Sequence, residues 1–275
     1  MNYMAKMASV ELSLDGSINM NVAIMGAGGH AKVVYDAILS AEQHEVIGFV
    51  DDNVDLIGTK LYGLPIVGNI ADLDSPALLD PENRGVEGYI IAIGNNTVRQ
   101  EKVAFYSQSP LTTTPLPPFI KGDGVRGLSH RYVPITVIHP RAVIAPTAQI
   151  DEGSVVFANV VVNPEARIGK HVILYTACTI DHECDIADYA YISPGCNVGG
   201  QVKIETGAFL GIGAVVLPRI TVGAWSIIGA GAVVTKDIPA HVTAVGVPAK
   251  VIKQHLTPCP SPKAFGEGRE VGGLG

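Results

Sequence analysis

The sequence predicts a parallel β-helix of six-residue repeats, preceded by a small parallel α/β domain. One aliphatic residue recurs at every sixth position from Ile138 to Val234, and strand-like and helix-like patterns alternate between residues 21 and 107. The 275-residue chain is 47% hydrophobic but only 6% aromatic, with 31 glycines. Small and aliphatic residues must therefore form the core, which favours closely stacked strands over a helical bundle.

The six-residue period is strict over almost one hundred residues. The sixth-position series has no exception: Ile138, Ile144, Ile150, Val156, Val162, Ile168, Leu174, Ile180, Ile186, Ile192, Val198, Ile204, Leu210, Val216, Val222, Ile228 and Val234. A period of six fits a coil with three short faces and eighteen residues, whose aliphatic residues point inward. A second series, four residues later, is neither charged nor aromatic and includes Cys178, Cys184 and Cys196. We therefore predict that these cysteines are core residues and not zinc ligands.

The preceding segment shows the alternation of a Rossmann-like α/β domain. Asn21–Met25 and Val46–Val50 are short apolar runs typical of buried strands, and a further strand is predicted at Tyr89–Ile93. Helical patterns follow the first and the last of these runs. Strands that alternate with helices in this way indicate a parallel sheet.

These patterns predict five segments. The first, 1–20, is expected to be a disordered leader, and 21–107 a Rossmann-like domain. Residues 108–137, rich in proline and glycine, are expected to be a linker or insertion. The β-helix is predicted over 138–255, and a disordered tail over 256–275.

Composition excludes several classes of partner. The net charge is −7 and no long basic run occurs, so nucleic acid is not an expected ligand. No apolar run approaches the roughly 18 residues of a membrane span. Cysteines at repeat positions are consistent with reduced thiols, which predicts a cytoplasmic protein without a metal centre.

Five segments carry a resemblance to a known family: Gly26–Asp36 (GAGGHAKVVYD), Asp51-Asp52, Ile91–Asn96 (IAIGNN), Ile180–Cys184 (IDHEC) and Gly246–Lys250 (GVPAK). The chain resembles the left-handed β-helix acyltransferases, which use acetyl-coenzyme A and work as homotrimers. It is most similar to the branch with sialic-acid O-acetyltransferases and N-acetyltransferases of nucleotide-linked 4-amino sugars, in particular the UDP-4-amino-sugar enzymes of bacterial protein glycosylation. The handedness is implied by this resemblance alone.

The predicted catalytic residues are His182, Glu183 and Gly200. His182 follows an inward position by two residues, so it should lie outside the coil, where an imidazole could take a proton from the acceptor. The resemblance implies that Glu183 orients the ring; Asp181 is the rival, and an ordinary surface histidine is the alternative. Gly200, eighteen residues on, should stack on His182. The resemblance implies that the Gly200 N–H stabilises the developing oxyanion. The alternative is a purely structural glycine, since glycine is common at turns.

The predicted nucleotide-sugar site lies in the first domain. Gly26–Ala31 fits a G-x-G-x-x-A turn whose N–H groups could hold phosphate at a helix start. The resemblance implies a diphosphate near Gly28, Gly29 and His30, and a base near the residues Asp51, Asp52, Gly94, Asn95 and Asn96. A dinucleotide site would use the same atoms, but the domain is too short for both halves of that fold. A purely structural turn is the remaining alternative.

Acetyl-coenzyme A is the predicted co-substrate, and its contacts are implied by the resemblance. They are Tyr191, Gly200, Ile212, Ala230 and Lys250, with active sites between the subunits of a homotrimer. Relatives often carry histidine where this chain has Tyr191, which could donate a hydrogen bond or simply pack on a neighbour. Lys250 could equally be a solvated lysine.

The sequence as a whole indicates an acetyltransferase that acts on the amino group of a nucleotide-linked 4-amino sugar for surface glycan or glycoprotein synthesis. The nucleotide (UDP, dTDP or GDP) and the sugar stay open. Two alternatives remain: O-acetylation of a sialic-acid-like sugar, and a non-catalytic β-helix scaffold.

Overall fold

The computed structural model describes residues 20–68, 73, 76–78, 85–108 and 132–255. Residues 1–19 of the predicted leader, most of the predicted insertion and the predicted tail lie outside these residues. Met20 belongs to the first strand. The chain forms two units. One comprises the described residues up to 93 together with 102–140, and the other comprises 94–101 together with the residues from 141 onward.

The first unit is an α/β domain with a six-stranded sheet in the order β3-β4-β2-β1-β5-β6. Its strands are parallel except for the β3–β4 hairpin. The elements of this unit are β1 (Met20–Met25), α1 (Gly29–Ala41), β2 (His44–Val50), β3 (Lys60–Leu61), β4 (Leu64–Val67), a 3₁₀ turn at Pro76–Leu78, β5 (Gly88–Ile91), β6 (Val133–Pro134) and β7 (Val137–Ile138). A second helix, α2 (Asn96–Gln108), begins in the second unit and ends in this one.

The central strands form because their residues are continuously apolar. Residues 22–25 of β1 are apolar and buried without interruption, which is typical of a parallel strand covered on both faces. The helix α1 buries Ala31, Val34, Ala37 and Ile38, an apolar stripe at helical spacing. It ends at Glu42, whose left-handed backbone (φ 53°) lets its N–H cap the Ile38 carbonyl.

The second unit is a parallel β-helix with three faces. One face contains β10 (Val155–Val156), β13 (Ile173–Leu174), β16 (Tyr191–Ile192), β19 (Phe209–Leu210), β22 (Ile227–Ile228), β24 (Val242–Val245) and β25 (Lys250–Gln254). The next contains β8 (Val143–Ile144), β11 (Val161–Val162), β14 (Thr179–Ile180), β17 (Asn197–Val198), β20 (Val215–Val216) and β23 (Val233–Val234). The third contains β9 (Gln149–Ile150), β12 (Arg167–Ile168), β15 (Asp185–Ile186), β18 (Lys203–Ile204) and β21 (Thr221–Val222).

The predicted repeat and its eighteen-residue coil are confirmed. Ile180 pairs with Val162 on one side and with Val198 on the other, so neighbouring coils stack residue for residue at a separation of eighteen. The sixth-position side chains from Val156 to Val234 are at most 2% exposed. The antiparallel pair β24–β25 departs from the repeat.

The three predicted core cysteines are buried and carry free thiols. The sulfurs of Cys184 and Cys196 donate to the carbonyls of Gly199 and Gly211, each at 3.1 Å, and so satisfy corner oxygens inside the prism. Burial raises the pKa of all three thiols, which keeps them protonated. No group of histidine, cysteine or acidic residues in the described part of the chain could hold a metal ion. The described helices include none that is long and apolar enough to cross a membrane.

Candidate active site

His182 stands on the outside of a β-helix corner, between β14 and β15. Because Ile180 points inward, the residue two positions later leaves the core, and the His182 side chain is 53% exposed. Its Nδ1 lies 3.0 Å from Oε2 of Glu183. A carboxylate at Nδ1 holds the proton there, so Nε2 of neutral His182 carries the lone pair.

Glu183 is held by a column of polar side chains from successive coils. Gln201, one coil further, donates Nε2–H to Glu183 Oε2 at 3.0 Å, and Arg219, one coil beyond, donates Nε–H to Gln201 Oε1 at 3.0 Å. The hydrogen bonds from Gln201 and then from His182 lower the pKa of Glu183, so this carboxylate is ionised at neutral pH. The sequence analysis missed Gln201 and Arg219, although their spacing of eighteen from Glu183 could have identified them.

Asp181, the rival to Glu183, has a different role. Its Oδ1 accepts the backbone N–H of His182 at 2.8 Å and the Asn163 Nδ2–H at 3.0 Å. These bonds fix the chain at the corner, and the carboxylate that contacts the imidazole ring is that of Glu183.

Gly200 lies directly against the imidazole ring of His182. A Cβ at Gly200 would stand 2.5 Å from His182 Nε2 and 2.8 Å from Cε1, so only glycine leaves the ring where it is. The stacking of Gly200 on His182 that the eighteen-residue coil predicts is therefore present.

The N–H of Gly200 lies outside the hydrogen-bond ladder of the β-helix. The ladder bonds of this segment come from the flanking Gly199 N–H to Val216 O and Gln201 N–H to His182 O. The corner position of His182 and Gly200 is occupied by Pro164 in the coil before them and by Pro218 in the coil after them. Because proline has no N–H, the stacking of the coils requires no hydrogen-bond donor at this position. The Gly200 N–H is therefore available to a ligand.

Tyr191 lies on another face, in β16, with its ring stacked between Phe209 (ring centroids 5.1 Å apart) and Tyr175 (5.9 Å). Burial raises the pKa of its hydroxyl, so it stays a neutral phenol. Ile212 and Ala230 are exposed and lie one coil apart, with the Gly231 N–H bonded to Ile212 O at 2.8 Å. Lys250 is the exposed first residue of β25.

In the α/β unit, Gly28 is the N-cap of α1 and Gly29 and His30 form its first turn. Gly28 and Gly29 are exposed, so the N-terminus of a thirteen-residue helix is open to solvent. An anion placed there would meet the positive end of the helix dipole.

The two aspartates after β2 differ. Asp51 accepts the Ala27 N–H at 2.7 Å with one oxygen and the Asn53 N–H at 2.9 Å with the other, so it fixes the glycine turn beside α1. Asp52 is exposed and forms an ion pair with Lys102, which the sequence analysis missed. Burial, followed by the charges of Asp52 and Asp51, raises the pKa of Tyr106.

Gly94, Asn95 and Asn96 belong to the second unit, whereas the other predicted nucleotide-sugar residues belong to the first. Asn95 Oδ1 accepts the Val98 N–H at 3.1 Å and so caps α2. Asn96 is buried and donates Nδ2–H to Gly207 O at 2.9 Å, on the β-helix.

Two family models match the chain. Residues 21–104 match the PglD N-terminal domain, and residues 201–236 match the bacterial transferase hexapeptide (six repeats). A curated relative, the UDP-N-acetylbacillosamine N-acetyltransferase of Bacillus subtilis, is 34% identical over 142 residues, which are 50% of this chain and 51% of that protein. The match thus spans about half of this relative's length.

Solved structures match over nearly their whole length. One is a variant of perosamine N-acetyltransferase from Caulobacter crescentus in complex with CoA and GDP-perosamine, with 32% identity, a TM-score of 0.69, and coverage of 84% of this chain and 96% of that one. Another is the acetyltransferase domain of PglB from Neisseria gonorrhoeae in complex with acetyl coenzyme A, with 32% identity, a TM-score of 0.69, and coverage of 85% and 100%. The predicted fold class, a Rossmann-like α/β domain followed by a left-handed parallel β-helix, is confirmed.

Proposed function

The chain belongs to the hexapeptide-repeat sugar N-acetyltransferases, and from that premise we propose that it transfers acetyl from acetyl-coenzyme A to the amino group of a nucleotide-linked 4-amino sugar. One observation carries the proposal. His182 is paired with Glu183 through Nδ1, and its other ring nitrogen faces Gly200, whose N–H the β-helix does not use. A base and an oxyanion donor thus stand side by side.

In the proposed reaction, the acceptor amine attacks the thioester carbonyl directly in a ternary complex. Nε2 of His182 takes a proton from the nitrogen as the new N–C bond forms. Glu183 stabilises the resulting imidazolium. The tetrahedral intermediate collapses with cleavage of the C–S bond, and the coenzyme A thiolate leaves and takes up that proton.

Gly200 is proposed to stabilise the intermediate. Gly200 lies against His182 Nε2, so we propose that a thioester bound beside the base places its carbonyl oxygen within reach of the Gly200 N–H. The donor belongs to the rigid coil, which means that it needs no reorganisation as charge develops.

The nucleotide-sugar is proposed to bind through its diphosphate at the start of α1, near Gly28, Gly29 and His30. The exposed glycines and the open helix N-terminus support this assignment. We further propose that Asp52 contacts the nucleoside while Asp51 holds the turn. Gly94, Asn95 and Asn96 are likewise proposed to contact the nucleotide-sugar.

Acetyl-coenzyme A is proposed to contact Tyr191, Ile212, Ala230 and Lys250 in addition to Gly200. Two similar structures contain coenzyme A or its acetyl form, which supports this co-substrate. The exposure of Ile212, Ala230 and Lys250 is compatible with contact to a long ligand along the coils.

A homotrimer with active sites between its subunits completes the proposal, and a cytoplasmic location follows from the co-substrate. The outward side chains of the face from β8 to β23 support subunit contact. Val143 is 63% exposed there, and Val161, Val215 and Val233 are half-buried. The polar Thr179 and Asn197 occupy the two middle coils of this row, so the apolar outward side chains lie toward its two ends. Exposed apolar side chains on a sheet face are typical of an interface.

The proposal is tested by thiol release from acetyl-coenzyme A with UDP-, dTDP- and GDP-linked 4-amino sugars, followed by mass spectrometry of the product. We expect release with one nucleotide and a product heavier by one acetyl group that resists hydroxylamine, as an amide does. A hydroxylamine-labile product formed from a sialic-acid-like acceptor would support O-acetylation instead. No release with any acceptor would favour a scaffold role.

A further inference from the structure

One corner column of the β-helix contains a row of backbone carbonyl groups that the hydrogen bonds between coils do not use. His171, Tyr189 and Gly207 occupy it in successive coils, all with left-handed backbones (φ 54°, 61° and 66°). The ladder at this corner uses the carbonyls of the preceding residues, with Tyr189 N–H bonded to Lys170 O and Gly207 N–H bonded to Asp188 O, both at 2.9 Å. The corner carbonyls themselves lie outside the ladder, so donors from elsewhere must satisfy them.

The first turns of α2 supply those donors. Arg99 donates Nε–H to His171 O at 3.0 Å and Nη2–H to Tyr189 O at 2.6 Å. Asn96 donates Nδ2–H to Gly207 O at 2.9 Å. Three successive coils are therefore bound by two side chains one helical turn apart, and Arg99 Nη2 also donates to Asn96 Oδ1 at 3.0 Å.

Arg99 is buried to an unusual degree for a cation. It is 1% exposed, and desolvation lowers its pKa to about 9, which leaves it protonated at neutral pH. Burial of a guanidinium is costly unless its donors are all engaged, and a planar fork with five donors suits several carbonyls at once. Such directional bonds fix the position of the helix start.

The segment in front of this helix start is the Gly94–Asn95 turn. The Gly94 carbonyl lies 3.5 Å from Arg99 Nη1, and Asn95 caps the helix. A Cβ on Gly94 would stand 3.8 Å from Tyr191 Cε2, which places the turn against that ring. The position of the turn on the β-helix thus depends on Arg99 and Asn96.

We propose that Arg99 is a positioning residue. Together with Asn96, it holds the Gly94–Asn95 turn against Tyr191, so that this part of the acceptor site and the β-helix bearing His182 form one rigid body. The inference rests on the proposed function only for the identity of the ligand that meets the turn. That the buried Arg99 fixes the Gly94–Asn95 turn does not depend on the proposed function.

The kinetic test compares Arg99→Lys with Arg167→Lys, the same change at an exposed site on β12. Lysine keeps the charge but cannot bond several carbonyls in one plane. We expect Arg99→Lys to raise the KM for the nucleotide amino sugar about tenfold, while the KM for acetyl-coenzyme A and kcat stay within about twofold. Arg167→Lys should leave all three constants unchanged. Equal KM values for Arg99→Lys and the parent protein would overturn the proposal.

A second readout does not depend on activity. Amide hydrogen exchange at residues 94–98 should become faster in Arg99→Lys, with exchange in β14 and β17 unchanged. If Arg99→Lys fails to fold, Asn96→Ala, which removes the bonds to Gly207 and Ala208, should show the same local increase. Unchanged exchange overturns the positioning role. Inactivity of the parent protein with every acceptor overturns the proposed function instead.

Discussion

Two histidines of the β-helix each lie against a glycine one coil away, and their surroundings give them opposite properties. His182 lies on Gly200, where a Cβ would stand 2.5 Å from its ring, and His171 lies on Gly153, where the corresponding distance is 2.2 Å. The side chain of His182 is 53% exposed, whereas His171 is 4% exposed.

The hydrogen-bond partners differ as well. Nδ1 of His182 is bonded to the Glu183 carboxylate. Nδ1 of His171 is buried and has no hydrogen-bond partner among the described residues. The His171 ring stacks on that of Tyr189 with centroids 5.6 Å apart. Burial, and then the charge of Arg99, lower the pKa of His171 to about 4, so it is neutral at physiological pH.

The contrast teaches that a histidine–glycine pair at a spacing of eighteen does not by itself make a catalytic site. The repeat position decides which way the ring points. His182 follows an inward residue by two positions, whereas His171 follows one by three, the same position within its repeat that Glu183 has. Protein packed on the corner then decides whether the ring meets solvent. Arg99 bonds the His171 carbonyl and is buried against that corner, whereas the corner of His182 is exposed.

The largest expected effect comes from the exposed histidine. His182→Ala should lower kcat about a thousandfold, because the proposed general base is lost. The circular dichroism spectrum and the elution volume on size exclusion should be unchanged, since the His182 side chain is 53% exposed. The matched variant His171→Phe should retain kcat within about twofold. If His182→Ala keeps most of its kcat, the comparison between the two histidines fails.

The two glycines should separate activity from stability. Gly200→Ala should lower kcat about a hundredfold by pushing the exposed His182 ring aside, with little change in Tm. In Gly153→Ala, the new Cβ would meet the buried His171 ring, and the backbone φ of 75° is unfavourable for alanine. This variant should lose about 2 kcal/mol of stability while kcat persists. Differential scanning calorimetry and thiol release measure the two outcomes. A large Tm loss in Gly200→Ala would contradict this division.

Substitution of Glu183 should have a smaller effect on kcat than substitution of His182 or Gly200. Glu183→Gln removes the charge that stabilises the imidazolium, but both side chains are about half exposed, so solvent already screens the pair. We expect kcat to fall about tenfold. The control is Asp181→Asn, which affects the hydrogen bond from the His182 backbone N–H. Its kcat should fall less. A greater loss in Asp181→Asn would reverse the assignment of the two carboxylates.

The smallest effect concerns pH and stability. His171 has a folded-state pKa of about 4, below its usual 6.5, so the unfolded chain binds the proton more readily. The contribution of neutral His171 is complete above pH 6.5 and is lost as the pH falls toward 4. Tm should therefore drop by a few degrees more over this window in the parent protein than in His171→Phe, on the order of 2 °C per kcal/mol. Parallel curves would show that His171 does not titrate there.

Much of the fold and part of the site could be predicted from sequence. The six-residue series fixes which side chains face inward, and this places Cys178, Cys184 and Cys196 in the core and Gly200 on His182. Gln201 and Arg219 were equally accessible through their spacing from Glu183. Lys102 and Arg99 were not, because nothing in a helical pattern indicates which acceptor a long cationic side chain will reach.

The sequence by itself determined the coil, its register and the exposed position of His182, because a strict period is a one-dimensional property that fixes the direction of each side chain. Only the tertiary structure decided that Glu183 meets the ring in place of Asp181, since both flank His182 equally in the chain. It also decided that Gly94–Asn96 join the β-helix unit. Arg99 and Asn96 bond residues between 72 and 111 positions away, and such contacts arise from the packing of whole elements, which no local pattern records.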